Sequence, residues 1–340
     1  MNSITSSFTT IIMAVLTFFG LVTTPYDEPI DKINGGDPYI IEDESGCYYT
    51  FTTGGGIDIF QIESFDTINV TRQKTIFWAG EHGADGDIWA PEIHKFGDRW
   101  YIVATAKFRQ DAVPAGKMPY IIFNKNNNNN GDYYRYSFVL ESKTEDIFGE
   151  YEFKGIIAPD GLSNLDGTYL KKDGKLYFVC AAYMKVAYQS IYICEMENPY
   201  TLKTDNRGRH IIKKLSSPTY SWEKNGWDVN EGPAVLYHED DIFIVYSASG
   251  YSTGKYCMGM LTLEGDNVMK KSSWKKSPVK VSYHNPIKEI YSAGHCSFIH
   301  RDNGDIYMVY HANKTQDFAE SPRLTHIKKV EFAFGKPIFM

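Results

Sequence analysis

One pattern recurs five times along this chain: a polar turn, two bulky residues, then an apolar strand. It reads "DESGCYYTFTT", "KFGDRWYIVATA", "KKDGKLYFVCAA", "HEDDIFIVYSA" and "RDNGDIYMVYHA". The matching aromatics are Tyr49, Tyr101, Tyr177, Phe243 and Tyr307, separated by 52, 76, 66 and 64 residues. Little helix-period patterning competes, and short alternating runs broken by Gly, Asn and Asp dominate. Five β units of this size predict an all-β fold, a five-bladed β-propeller with about four strands per blade around a central funnel. A β-sandwich with irregular hairpins is the competing reading, but it does not require one hairpin five times over.

In a propeller the innermost strand of each blade precedes the hairpin that carries the turn. Eleven or twelve residues before the five aromatics stand Asp37, Trp89, Asp166, Glu231 and His295, in the contexts "GGDPYI", "DIWAPEI", "NLDGTYL", "VNEGPAV" and "AGHCSFI". Equivalent positions on five inner strands surround one axis, so these side chains are expected around one funnel. Each has an ordinary explanation when taken singly. Asp-Pro and Glu-Gly-Pro are common turn sequences, Asp166-Gly167 suits a hairpin, and a lone His is more often a hydrogen-bonded core residue. Their common register with an independent repeat is what argues for a site.

Carboxylates sharing a pocket cannot all ionise freely, because like charge raises one pKa and leaves a proton donor beside a base. Glycoside hydrolysis needs that arrangement: one acid protonates the leaving oxygen and one carboxylate activates water or attacks the sugar. An aspartic-protease dyad expects a different two-lobed framework. A calcium site is conceivable, but acids from separate blades lack the dense spacing of a calcium loop. The 15% aromatic content suits a β-rich core and also suits sugar binding, where flat rings cover apolar sugar faces. A net charge of -7 without a long basic stripe gives nucleic acid no electrostatic footprint.

The stretches "GGDPYI", "DIWAPEIHKFGDRWYI", "LDGTYLKKDGKLYFV", "VNEGPAVL…VYSASG", "YCMGMLT", "AGHCSFI" and "VYHAN…SPRLTHI", in this order, resemble glycoside hydrolase family 43 over nearly the whole chain after about residue 30. "WAPE", "EGP" and "YSASG" are most similar to its exo-acting α-L-arabinofuranosidase branch, which trims arabinan ends. The resemblance implies Asp37 as general base, Glu231 as general acid and Asp166 as the residue that raises the acid's pKa and orients it. It implies inversion of configuration, with Asp37 and Glu231 in the wider carboxylate range of about 6.5–9.5 Å. His295 corresponds to an axial histidine that in relatives lies by a bound water or a metal ion, often calcium, and no cofactor is required. Trp89 is expected to wall the sugar pocket, and Arg323, in "SPR", to reach the site from the final blade. Asp87, before Ile-Trp, departs from the family pattern; it either affects the pocket or caps a strand.

The implied partner is plant cell-wall arabinan or arabinoxylan, bound by a monomeric chain with no nucleic-acid or membrane partner. A β-xylosidase or endo-arabinanase of the same family shares these carboxylates. A non-catalytic sugar-binding propeller would not need all three acids, and a structural interaction propeller would not gather them in one funnel. Ile11 to Val22 fits a signal-peptide apolar segment although no Lys or Arg precedes it. Residues 1–24 are therefore expected to be a signal peptide, 25–340 one catalytic domain, and the protein secreted. The sequons at Asn69 and Asn313 add weak support. Five cysteines without a CxxC pair argue against a zinc or redox motif. "NKNNNNNGD", Asn124 to Asp132, is expected to be a surface-loop insertion.

Overall fold

The computed structural model describes residues 2–18, 35–53, 55–64, 69–117, 133–185, 188–282, 285–317 and 322–339. The Asn-rich insertion and the end of the expected signal peptide lie outside them. More than half of the described residues lie in strands, arranged as successive antiparallel meanders.

The first meander holds β1 (Tyr39–Asp43), β2 (Gly46–Thr53), β3 (Gly56–Ile62) and β4 (Val70–Trp78). The second holds β5 (Trp89–Phe96), β6 (Arg99–Arg109), β7 (Tyr133–Ser142) and β8 (Tyr151–Ile157). The third holds β9 (Asn164–Lys172), β10 (Lys175–Lys185) and β11 (Tyr188–Asn198), with β12 (Thr201–Leu202) and β13 (Ile212–Ser216) both paired to β11. The fourth holds β14 (Asp228–His238), β15 (Asp241–Ala248), β16 (Cys257–Leu263) and β17 (Trp274–Lys276), and a short parallel pairing of β11 with β14 links it to the third. The fifth holds β18 (Tyr291–His300), β19 (Ile306–Asn313) and β20 (Leu324–Lys329), followed by the hairpin β21 (Glu331–Ala333) and β22 (Lys336–Ile338).

The hairpin chemistry follows from turn geometry. Lys172 pairs with Lys175, leaving Asp173-Gly174 as a two-residue loop with both φ angles positive. Asp-Gly tolerates that conformation and matches the twist of the flanking strands. The five repeat aromatics all fall on the second strand of a meander and are buried.

Side chains of alternate strand residues face opposite sides of a sheet, so each meander can pack on two neighbours. Tyr48 packs with Trp100 and Ile102 of the second meander, whereas Tyr49 packs with Tyr307 and Val309 of the fifth. Val103 with Phe178 joins the second to the third, Ile193 with Ile244 the third to the fourth, and Val245 with Met308 the fourth to the fifth. The first strands touch in the same succession, β1 on β5, β5 on β9, β9 on β14, β14 on β18 and β18 on β1.

The helix α1 (Asn2–Phe18) lies against β21, where Phe8 meets Phe334 edge-on at 5.8 Å. No described helix is long and apolar enough to cross a membrane. All five cysteines are buried and unbridged, consistent with small core residues. Asn313 is buried in β19, so in the folded chain that sequon does not offer an accessible glycosylation site, while Asn69 is exposed.

Candidate active site

The first strands bend where they meet. Pairing register shifts between Trp89 and Glu92 in β5, Glu231 and Ala234 in β14, and Gly294 and Ser297 in β18, and opposite β9 between Val179 and Ala181. Such bulges re-aim side chains and are common beside active sites. At or next to the five expected positions stand residues with positive φ: Asp37 at 61°, Ala90 at 44°, Asp166 at 52°, Gly232 at 51° and His295 at 45°. Four of these are not glycine, so the backbone holds a sparsely populated conformation at each inner-strand position.

The result is a cavity of about 310 Å³ lined by Asp37, Trp89, Asp166, Glu231, His295 and Arg323, all six residues singled out in the sequence. The motif glycines explain part of the fit. A Cβ on Gly36 would lie 2.1 Å from the Arg323 guanidinium carbon, and one on Gly232 3.0 Å from His295 Nδ1.

Asp37 is the most cation-rich of the three acids. Its Oδ1 lies 3.1 Å from His295 Nδ1, 3.4 Å from Arg323 Nη1 and 3.6 Å from His311 Nδ1. Its backbone N–H donates to His311 Nδ1 at 3.2 Å. Burial alone would raise its pKa, but the charges of His295 and Arg323 and the His295 hydrogen bond outweigh burial, so Asp37 is held well below the usual carboxylate range. His295 answers in kind. Burial lowers it, yet Asp37 and Asp166 overcome that and raise it to about 10, so the ring is a cation.

Glu231 has the opposite surroundings. Burial and the neighbouring Asp166 raise its pKa, opposed by one hydrogen bond that Tyr256 donates to Oε1 at 2.8 Å. Asp166 is raised too, first by burial, with Asp37 adding to the rise and His295 opposing it. Asp166 Oδ2 accepts from Gly232 N–H at 3.0 Å, and its own N–H donates to Thr105 Oγ1 at 2.9 Å. Asp166 thereby grips the backbone beside Glu231 while disfavouring a second negative charge there.

A sequence profile described as glycosyl hydrolases family 43 matches residues 26–337. The chain belongs to that family. Family 43 enzymes are glycoside hydrolases that invert anomeric configuration. The chain is 31% identical over 308 residues to an extracellular exo-α-(1→5)-L-arabinofuranosidase of Streptomyces chartreusis, covering 88% of this chain and 85% of that one. It is 29% identical over 330 residues to α-L-arabinofuranosidase B of Pyricularia oryzae, covering 89% of this chain but only 61% of the relative's length. The crystal structure of α-L-arabinofuranosidase from Lactobacillus brevis superimposes with a TM-score of 0.77 at 28% identity, over 94% of this chain and 98% of that one.

Within this family 43 site, several lining residues were not singled out in the sequence: Tyr183, Gln189, Trp227, Tyr251 and Tyr256. Tyr256 and His311 sit inside quoted motifs, "YCMGMLT" and "VYHAN", but on elements other than the first strands. Asp87 does not line the cavity but is linked to its wall through Arg135. It accepts from Arg135 Nη2 at 3.0 Å, and the Arg135 guanidinium lies 3.6 Å over the Trp89 ring. The expected cation would reach His295 through a water, and direct ligation by the ring fits poorly. His295 commits Nδ1 to Asp37 and carries a proton, and calcium prefers oxygen donors. Among the described residues no group of three or more His, Cys, Asp or Glu side chains is spaced to hold a metal ion.

Proposed function

We propose that this enzyme hydrolyses terminal α-L-arabinofuranosyl residues of arabinan or arabino-oligosaccharides, outside the cell. The observation that carries the chemistry is the opposite surroundings of two carboxylates in one cavity: cations against Asp37, and a single phenol donor beside another carboxylate at Glu231. Asp37 is kept ionised by His295 and Arg323, and Glu231 is kept protonated by burial beside Asp166. In this reading Glu231 gives its proton to the glycosidic oxygen as the C–O bond breaks. Asp37 takes a proton from the water that attacks the anomeric carbon from the opposite face, and one step inverts the configuration. Asp166 orients Glu231 and maintains its proton. Trp89 walls the sugar, with Trp227 and Tyr251 beside it at 5.7 Å from one another. His295 and Arg323 supply positive charge at Asp37 throughout this step.

The five meanders and the return of packing from the fifth to the first support a five-bladed propeller, with the carboxylates at its axis. The substrate class rests on the relatives named for exo action on arabinofuranosides, and the extracellular assignment on their names. The test is incubation with linear α-1,5-arabinan and with a xylo-oligosaccharide, with Glu231→Gln as control. Arabinose alone, absent with the variant, is the expected product. Longer arabino-oligosaccharides would make it an endo-enzyme, xylose a xylosidase, and binding without products a lectin-like propeller.

A further inference from the structure

Tyr256 belongs to no first strand and has no part in the mechanism above, yet it touches the acid directly. It precedes β16, is buried, and donates its O–H to Glu231 Oε1 at 2.8 Å. Its ring occupies a prepared slot. A Cβ on Gly294 would fall 2.2 Å from a Tyr256 ring carbon, so only glycine leaves room on that side. On another side the ring stacks with His311, centroids 5.7 Å apart and planes 6° from parallel. His311 in turn accepts the Asp37 backbone N–H. One pair of stacked rings therefore touches both the acid and the base.

We propose that Tyr256 is the positioning residue of the general acid: it occupies Oε1 of Glu231, directs the transferable proton to Oε2, and stabilises the carboxylate formed when that proton leaves. This rests on the glycosidase reading above. When Glu231 releases its proton to the glycosidic oxygen, the bonding pair of the broken C–O bond stays with that oxygen, and negative charge appears on the Glu231 carboxylate. A phenol O–H donated to a carboxylate is stronger than one donated to a neutral carboxyl group. Tyr256 thus gains strength along the reaction and acts on kcat more than on binding.

The other groups facing Glu231 are Asp166 from β9, Tyr183 from β10, His295 from β18, and Asp37 ahead of β1. Asp166 and Asp37 disfavour the Glu231 anion and His295 favours it, so Tyr256 is the neutral donor among them. Removing its hydroxyl leaves that balance weighted further toward the protonated acid.

The experiment compares Tyr256→Phe with the parent enzyme on an arabino-oligosaccharide, whose leaving group needs protonation, and on a 4-nitrophenyl α-L-arabinofuranoside, whose leaving group does not. For Tyr256→Phe, kcat on the oligosaccharide is expected to fall about ten- to a hundredfold, the worth of a hydrogen bond to a charged group. The loss on the nitrophenyl substrate should be much smaller, KM little changed, and the alkaline limb of the pH profile moved to higher pH. Incorporating 3-fluorotyrosine at position 256, which keeps the ring and sharpens the donor, should move that limb the other way. Equal losses on both substrates with an unmoved alkaline limb, or no loss on either, would overturn the proposal. Failure of the parent enzyme on every arabinofuranoside would instead overturn the substrate reading, and Tyr256 would then be judged by the same ratio on whichever glycoside is cleaved.

Discussion

Two desolvated glutamates eight residues apart, Glu223 in the core and Glu231 on the cavity wall, have opposite fates. Glu223 lies in the turn before β14 and is wholly buried. Its Oε1 receives Lys276 Nζ at 2.5 Å, Asn230 Nδ2 at 2.8 Å and Tyr246 O–H at 3.0 Å, and its Oε2 receives the N–H groups of Thr219 and Tyr220 at 2.7 and 2.8 Å. Burial would raise its pKa, but Lys276 and the two amides lower it below the usual value. Glu231 sits on the far side of Asn230 with one donor, Tyr256, and two carboxylates for company. Burial is common to both. The partners decide whether the buried acid becomes an anchored anion or a stored proton. Asn230 joins the two, because the side chain that binds Glu223 belongs to the residue before Glu231.

The comparison breaks if the two glutamates respond alike to substitution. Glu231→Gln should lower kcat on arabino-oligosaccharides by about 10²–10⁴-fold, the usual worth of a general acid, while leaving the melting temperature intact or raised. Glu223→Gln should instead leave Lys276 without its anion and cost about 3–5 kcal/mol of stability, as for a broken buried pair. Its surviving folded fraction should still hydrolyse. Thermal melts beside initial rates on both variants separate the two outcomes.

A smaller effect lies in pH. Glu231 has a raised folded pKa, so it keeps its proton where the unfolded chain would lose it. Stability from this group falls as pH rises from the ordinary glutamate value through the raised one. Glu223, with a lowered folded pKa, has the reverse sign: its contribution is present above the unfolded value and lost as pH falls through the lowered one. Melts against pH should show the Glu231→Gln advantage over the parent growing toward alkaline pH and the Glu223→Gln penalty shrinking in acid. The parent's hydrolysis rate should decline on the alkaline side through Glu231, well above its ordinary value of 4.5, while Asp37 stays ionised far into acid.

The smallest expected change is behind the Trp89 wall, at the buried Arg135. Arg135→Met removes the cation stacked on Trp89, a contact worth about 0.5–2 kcal/mol, and should raise KM severalfold at nearly constant kcat. A fall in kcat of the Glu231 size would mean that Arg135 belongs with the reacting groups.

Much of the site was legible because the repeat carries its own ruler. Asp37, Trp89, Asp166, Glu231 and His295 lie a fixed distance before strand aromatics whose apolar setting is easy to read. Arg323 was reached only through the family resemblance, since it follows β19 and is outside that count. Tyr256 and His311 were not singled out for the same reason: one precedes a third strand and the other lies on a second strand, and each reads as ordinary β core. Glu223 sits in "SWEKNGWD", which reads as a polar loop. Only the fold brings Lys276, 53 residues later in the numbering, against it. The link between Asp87 and Arg135 spans the Asn-rich insertion, so no local pattern connects them.

The most direct measurement is the protonation of Glu231 itself, read by infrared difference spectroscopy across a pH titration of the parent, Glu231→Gln and Glu223→Gln. The account expects a protonated carboxyl C=O band in the parent at pH 7, above the Asp166 value of about 6 and below the Glu231 value of about 8, that disappears in Glu231→Gln and persists in Glu223→Gln. A parent without that band at pH 7, with Glu231 titrating at an ordinary carboxylate pKa, would contradict it.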